Sequence, residues 1–183
     1  MSAALSIRNR QRAVPVNVRH LRRIAACLLR VLETAEPCDL GIYLVRSTEM
    51  SRLNETFLRH AGVTDVITFD YGSRPGLHGE IFICLEEALS QARRFRTSWQ
   101  SELARYVIHG LLHLTGYDDR RSGDRHRTKL EEDRLLPQLS RRCAIPELAR
   151  PRPLPPAGGK RNRASQSSSL SLRKHPRGLK LAP

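Results

Sequence analysis

Apolar positions in the first 136 residues fall into two rhythms, one with period 2 and one with helical spacing. Leu5-Ser-Ile7-Arg and Asp39 to Val45 alternate, which predicts strands near Leu5–Arg10 and over Asp39–Val45. Val66–Phe69 and Gly79–Cys84 read as two more strands, joined by a connection rich in turn residues. Helical spacing runs from Val18 to Glu33, and Ser47 or Thr48 is placed to cap a helix reaching about Leu58, with Glu49 near its N-terminus. Further helices are predicted over Leu85–Arg96, Ser98–Thr115 and Ser122–Leu135. Strands and helices mixed in this order indicate an α+β fold: a small mixed sheet of about four strands packed with about five helices.

The longest apolar run, Ile24 to Leu29, is six residues, far below the roughly 18 of a membrane-spanning helix, so no membrane is expected among the partners. Periodicity fades between Pro137 and Pro146. Beyond it the chain is rich in Pro, Gly, Ser and basic residues, a composition too poor in apolar surface to offset its ordering entropy. The expected organisation is a folded domain over 1–136 and a disordered basic tail over 137–183.

Charge sharpens this division. The 183 residues carry 32 Lys+Arg against 18 Asp+Glu, a net charge of +14. The tail holds 11 basic residues and 1 acid, leaving 21 against 17 in the domain, which is only mildly basic. Residues 1–30 contain seven arginines and no acid. That composition is shared with organellar transit peptides, but the alternation at Leu5–Arg8 and the helical spacing after Val18 assign it to the fold. Cys27, Cys38, Cys84 and Cys143 form no CxxC pair and read as free thiols, which suits a reducing, cytoplasmic compartment. The charge favours a polyanionic partner without naming it.

The chemistry is concentrated in His109-Gly-Leu-Leu-His113-Leu-Thr-Gly116-Tyr-Asp118-Asp119. Histidines four apart on a helix leave from one face and can converge on one ion. Leu103, Val107, Leu111 and Leu114 occupy other sectors and pack the helix into the core. Gly116 permits a left-handed turn that ends the helix and sends the chain back. That reversal carries Asp119, ten residues after His109, toward the histidines, with Asp118 competing for the same role. Three protein ligands with an open fourth position is the arrangement of a catalytic zinc, which lowers the pKa of a bound water to about 7. Zinc peptidases with H-E-x-x-H carry a glutamate general base beside the first histidine; this chain has Gly110 there, which argues against that mechanism.

The stretch resembles the H-G-x-x-H-x-x-G-Y-D-H signature of the YbeY family, zinc-dependent, single-strand-specific endoribonucleases of ribosomal RNA maturation. Leu53-Asn54-Glu-Thr-Phe57 with Val63-Thr64-Asp65-Val66-Ile67-Thr68-Phe69 is similar to the family's L-N-x-x-Y-R... P-T-D-V-L-S-F, and Gly79-Glu-Ile-Phe-Ile83 to its G-D-I-x-I strand. Ile7-Arg-Asn-Arg-Gln11 resembles its opening, so the likeness covers about residues 5–136. The resemblance implies one Zn²⁺ held by His109, His113 and Asp119, with Arg59 and His113 in catalytic roles. It also implies a single-stranded RNA substrate, ribosomal RNA above all, with ribosomal proteins or the small subunit as partners and a part in ribosome quality control.

Two positions depart from the pattern. The family's third ligand is usually histidine, and Asp119 stands there. A carboxylate lowers the charge of the loaded site from about +2 to about +1, making bound water a weaker acid and zinc selectivity less strict. The family arginine falls four residues after the asparagine; here that place is Leu58, and Arg59 follows. His78 and His126 are further candidates as proton carriers, while Thr64 and Asp65 are expected to fix a turn. Two alternatives compete with the nuclease: an RNA- or ribosome-binding protein with a structural metal, and a metallopeptidase.

Overall fold

Alternation along four strands sorts their side chains onto two faces of one sheet, and the helices cover the two faces unequally. The computed structural model describes residues 4–34, 38–72, 76–119, 121–149 and 179–181. Strands β1 (Ala4–Asn9), β2 (Cys38–Val45) and β4 (Leu77–Cys84) run parallel, with Ile7 opposite Ile42 and Ile42 opposite Ile81. β3 (Val66–Asp70) is antiparallel to β4, with Thr68 opposite Ile81. β5 (Leu179–Leu181) adds to the free edge of β3, giving the order β1-β2-β4-β3-β5.

One face is closed. Leu40, Ile42, Leu44, Ile81 and Ile83 pack beneath α1 (Val18–Val31) and α4 (Trp99–Leu114), with α3 (Leu85–Phe95) and α5 (Ser122–Arg142) adding Leu85, Ala88, Leu135 and Leu139 to the same core. α4 lies at its centre; its Leu103, Val107, Leu111 and Leu112 are fully buried. The other face receives only α2 (Ser47–Leu53) and a π-helical turn (Asn54–Leu58), over Val45, Met50, Ile67, Phe69 and Phe82. Its remainder is half-open around Tyr43, Tyr71 and Glu80.

Most predicted elements stand where periodicity put them, and the differences have local causes. The helix expected over Ser47–Leu58 is α-helical only to Leu53 and finishes as the π turn. A π turn carries one more residue than an α turn. Arg59 follows it in the left-handed conformation with φ 56°. α5 passes through Pro137 to Arg142 instead of stopping at Leu135. Proline removes one helical hydrogen bond, to the Asp133 carbonyl. Pro137 and Asp133 are both exposed, so water can satisfy that carbonyl, while Leu135 and Leu139 stay buried. A 3₁₀ turn (Ile145–Ala149) then buries Ile145 and Leu148. Residues 137–149 therefore belong to the folded body, against the disorder expected of them, and Leu179–Leu181 return to the sheet as a strand. The rest of the predicted tail, 150–178 and 182–183, lies outside the described residues.

Candidate metal centre

Ser98 starts α4 by accepting a hydrogen bond from the Ser101 amide at 3.2 Å, and Gly116 ends it at φ 101°. Two backbone bonds close the end, Gly116 N–H to His113 O at 3.2 Å and Tyr117 N–H to Leu112 O at 3.0 Å, the pairing of a Schellman motif. This turn brings the Tyr117 carbonyl back onto α4, where it accepts from His113 Nδ1 at 3.1 Å. The Nε2 lone pair of His113 is thereby directed away from the helix.

His109 is oriented by a different element. Its Nδ1 meets Glu132 Oε1 of α5 at 2.6 Å, which also leaves Nε2 free. Arg105 and Lys129 stand behind Glu132, Arg105 Nη1 at 3.3 Å and Lys129 Nζ at 3.6 Å from its Oε2. Burial pushes the Glu132 carboxyl up, but the His109 hydrogen bond and the nearby cations outweigh it and hold the group below the usual carboxylate range. A carboxylate behind a histidine in this way fixes the tautomer and strengthens the other nitrogen as a ligand.

With both Nδ1 atoms engaged, the two Nε2 atoms lie 2.9 Å apart. Asp119 completes the group: its Oδ2 is 3.5 Å from His113 Nε2 and 4.0 Å from His109 Nε2. Asp118 does not face them; its Oδ1 accepts from the Asp119 amide at 2.8 Å and its carbonyl from Thr128 Oγ1 at 2.9 Å. The geometry therefore separates the two aspartates that competed in the sequence.

The donor set fits a cation. Three acceptor atoms converge in a region where the His113 and Asp119 side chains are 0% and 6% exposed, and Asp119 Oδ2 has no hydrogen-bond partner. A buried unpaired carboxylate oxygen is costly unless an ion or proton lies against it. His109, His113 and Asp119 are also the one group of three metal-ligating side chains brought together among the described residues.

A family model described as Endoribonuclease YbeY matches residues 6–140. The chain belongs to the YbeY family. Among its relatives, the Endoribonuclease YbeY of Chlorobium luteolum is 47% identical over 122 residues, covering 63% of this chain and 89% of that protein. The Endoribonuclease YbeY of Parabacteroides distasonis is 34% identical over 105 residues, covering 57% and 74%. A solution structure of TM1509 from Thermotoga maritima shares the fold, with a TM-score of 0.55 and 23% identity over 75% of this chain and 90% of that one.

Against the YbeY pattern, the other predicted residues divide clearly. Arg59 is exposed and makes no ion pair with the described residues. His78 alternates with Leu77 and Gly79, which face α4, and so lies on the opposite side of the sheet from the metal ligands. His126 is exposed on α5. Asp65 sits at the bend that leads into β3, accepting from the Val66 amide at 2.9 Å and from Thr64 Oγ1 at 3.2 Å. Burial also raises its carboxyl above the usual range, against the pull of nearby His109.

Two features escaped the sequence reading. Glu132 lies 23 residues beyond His109, and only its place on a helix with an apolar stripe near Thr128 and Leu135 could have hinted at it. Gly110 is the second. A Cβ there would sit 2.6 Å from Ile81 Cγ2, so glycine is what lets α4 lie close on β4. The position faces the sheet, and a peptidase-type glutamate at 110 would be driven into the core.

Proposed function

We propose that the protein is a zinc-dependent endoribonuclease of ribosomal RNA maturation and ribosome quality control, working on single strands in the cytoplasm. The family supports the endoribonuclease activity and with it an RNA substrate. The observation that carries the metal dependence is the convergence of two oriented imidazole lone pairs on the unpaired Asp119 Oδ2. When bound, zinc supplies Lewis acidity, polarising a phosphoryl oxygen or acidifying a water.

The chain's own groups would divide the remaining work. His109, His113 and Asp119 hold the ion, and Glu132 and the Tyr117 carbonyl keep the two rings turned toward it. His109 is the least covered of the three ligands, at 11% exposure, so the substrate phosphate enters from its side. Arg59, which makes no ion pair with the described residues, offers forked donors to the non-bridging oxygens of a strand laid against the site. The small subunit and its proteins are the expected assembly partners. Asp119 in a place usually held by histidine keeps the second reading alive, in which the metal is structural and the protein only binds RNA.

The test is metal content and cleavage of a single-stranded RNA by the purified protein beside His113→Ala. The variant is expected to lose bound zinc and at least about 100-fold in cleavage rate. Retained zinc with undiminished cleavage would remove the centre from the reaction. Zinc binding lost while RNA affinity stays at the wild-type level, in a protein that never cleaved, would establish the structural-metal reading.

A further inference from the structure

The acid-free, arginine-rich start of the chain has no part in the metal centre. In the structure it supplies one wall of a groove of about 440 Å³ between α1 and the junction of α5 with the 3₁₀ turn. His20, Arg23, Cys27 and Arg30 recur on α1 at spacings of three and four, so they form one stripe about 15 Å long. Arg142 closes the groove from the end of α5, and Glu147 from the 3₁₀ turn.

The lining is unbalanced in charge and incomplete in hydrogen bonding. Arg10, Arg105 and Arg134 elsewhere are paired with carboxylates, but Arg23, Arg30 and Arg142 make no ion pair or hydrogen bond with the described residues. Three guanidinium groups against the one Glu147 carboxylate leave a surplus of two positive charges. His20 is only 6% exposed, yet neither ring nitrogen has a hydrogen-bond partner. Its Nδ1 lies 3.6 Å from Glu147 Oε2, which leaves Nε2 with nothing. Forked arginines around a buried, unsatisfied imidazole are suited to an anion with several acceptor oxygens, and phosphate is the group that matches both the charge and the fork geometry.

We propose that this groove is a phosphate-binding site separate from the histidine–aspartate centre, and that its occupant is the backbone of the RNA strand held at a second point. The identity of the occupant rests on the nuclease reading; the phosphate chemistry does not. Arg142 follows Glu132 by ten residues on α5, so the groove lies about 15 Å along that helix from the residue that orients His109. A strand gripped there would be anchored by its phosphates without sequence readout.

The experiment uses the full chain loaded with zinc. An Arg23→Gln/Arg30→Gln/Arg142→Gln variant is compared with a charge-matched control, Arg93→Gln/Arg94→Gln/Arg96→Gln. Affinity for a single strand lacking 2′-hydroxyls, which keeps the phosphates and cannot be cut through that group, is measured by anisotropy across salt concentrations. Each lost phosphate contact flattens the slope of log K against log salt by about 0.7, so the groove variant is expected to flatten it by about 2 and the control not at all. Inorganic phosphate is titrated in parallel, following the His20 ring by NMR, with shifts expected in the wild type and absent in the groove variant. Shifts without a slope change would overturn RNA as the occupant in favour of small phosphate compounds. Neither effect, or an equal slope change in the control, would overturn the site. A strand bound as expected while RNA goes uncut would sink the nuclease reading and leave the groove standing.

Discussion

Each face of the sheet carries a carboxylate between two ring-bearing side chains, and the two arrangements have opposite polarity. On the half-open face, Glu80 accepts from Tyr43 Oη at 3.0 Å and from Tyr71 Oη at 2.9 Å, so an acceptor meets two donors. Burial, then the Glu80 charge, pushes the Tyr43 hydroxyl above its usual range, consistent with a phenol that keeps its proton. On the closed face, Asp119 meets two imidazole nitrogens whose protons are committed elsewhere, so an acceptor meets acceptors. The first network is complete within the protein. The second requires a cation, and burial makes that requirement severe because an unpaired carboxylate oxygen is costly there.

The sharpest way to break this contrast is to neutralise both carboxylates. Asp119→Asn is expected to lower zinc affinity by at least about 100-fold, and to raise the melting temperature of the metal-free protein by about 2–4 °C, because the new amide donates to a histidine. Glu80→Gln should leave zinc content unchanged and lower stability by about 1 kcal/mol. Metal analysis and thermal melts of apo and loaded protein decide it; a stabilised Glu80→Gln or a zinc-replete Asp119→Asn would cancel the distinction.

Glu132→Gln tests the orientation of His109. Zinc affinity should fall about 10–100-fold, read by chelator competition, with little change in apo stability. Arg105 and Lys129 would then face a neutral amide, so an unchanged affinity would mean that the carboxylate serves those cations alone.

Close packing separates the faces as well. Gly110→Ala introduces a methyl 2.6 Å from Ile81 Cγ2 in a fully buried layer, and is expected to cost about 1–3 kcal/mol where an exposed helical glycine would gain from alanine. Gly41→Ala on the other face meets the Tyr43 ring at 2.9 Å, the far end of a half-buried side chain instead of a fully buried layer, so the cost should be smaller than at Gly110. Denaturant melts compare the two.

The smallest effect concerns α2, the main cover of the half-open face. The Ser47 amide and hydroxyl both donate to Glu86 at the start of α3, and these bonds hold the Glu86 carboxyl below its usual range. A lowered folded pKa means that the stabilisation is present above the unfolded value and is lost as pH falls through the folded one. Glu86→Gln should therefore be slightly less stable than wild type at pH 7, with the difference closing below about pH 4. Parallel stability curves across that range would show the contact contributes nothing.

Much of this fold was legible because its elements carry their own patterns. The β2 alternation, the α4 stripe and the turn residues between β3 and β4 are local signals, and the helix bearing the ligands ended where Gly116 said it would. Failures came where a local rule met a tertiary exception. Pro137 is a helix breaker in isolation, but its lost hydrogen bond faces water while Leu135 and Leu139 anchor both sides. The strand Leu179–Leu181 is too short to announce itself and exists through pairing with Ile67–Phe69.

The site divides along the same line. By itself the sequence determined that two histidines share a helix face, that the chain reverses after them, and that an aspartate follows at the right distance, because spacing and glycine conformation are properties of the local backbone. Only the tertiary structure chose Asp119 over Asp118, brought Glu132 to His109 from another helix, turned Gly110 from a missing base into a packing contact, and left Asp119 Oδ2 without a donor. Those outcomes depend on which groups are buried against each other, and burial is decided when helices dock on the sheet.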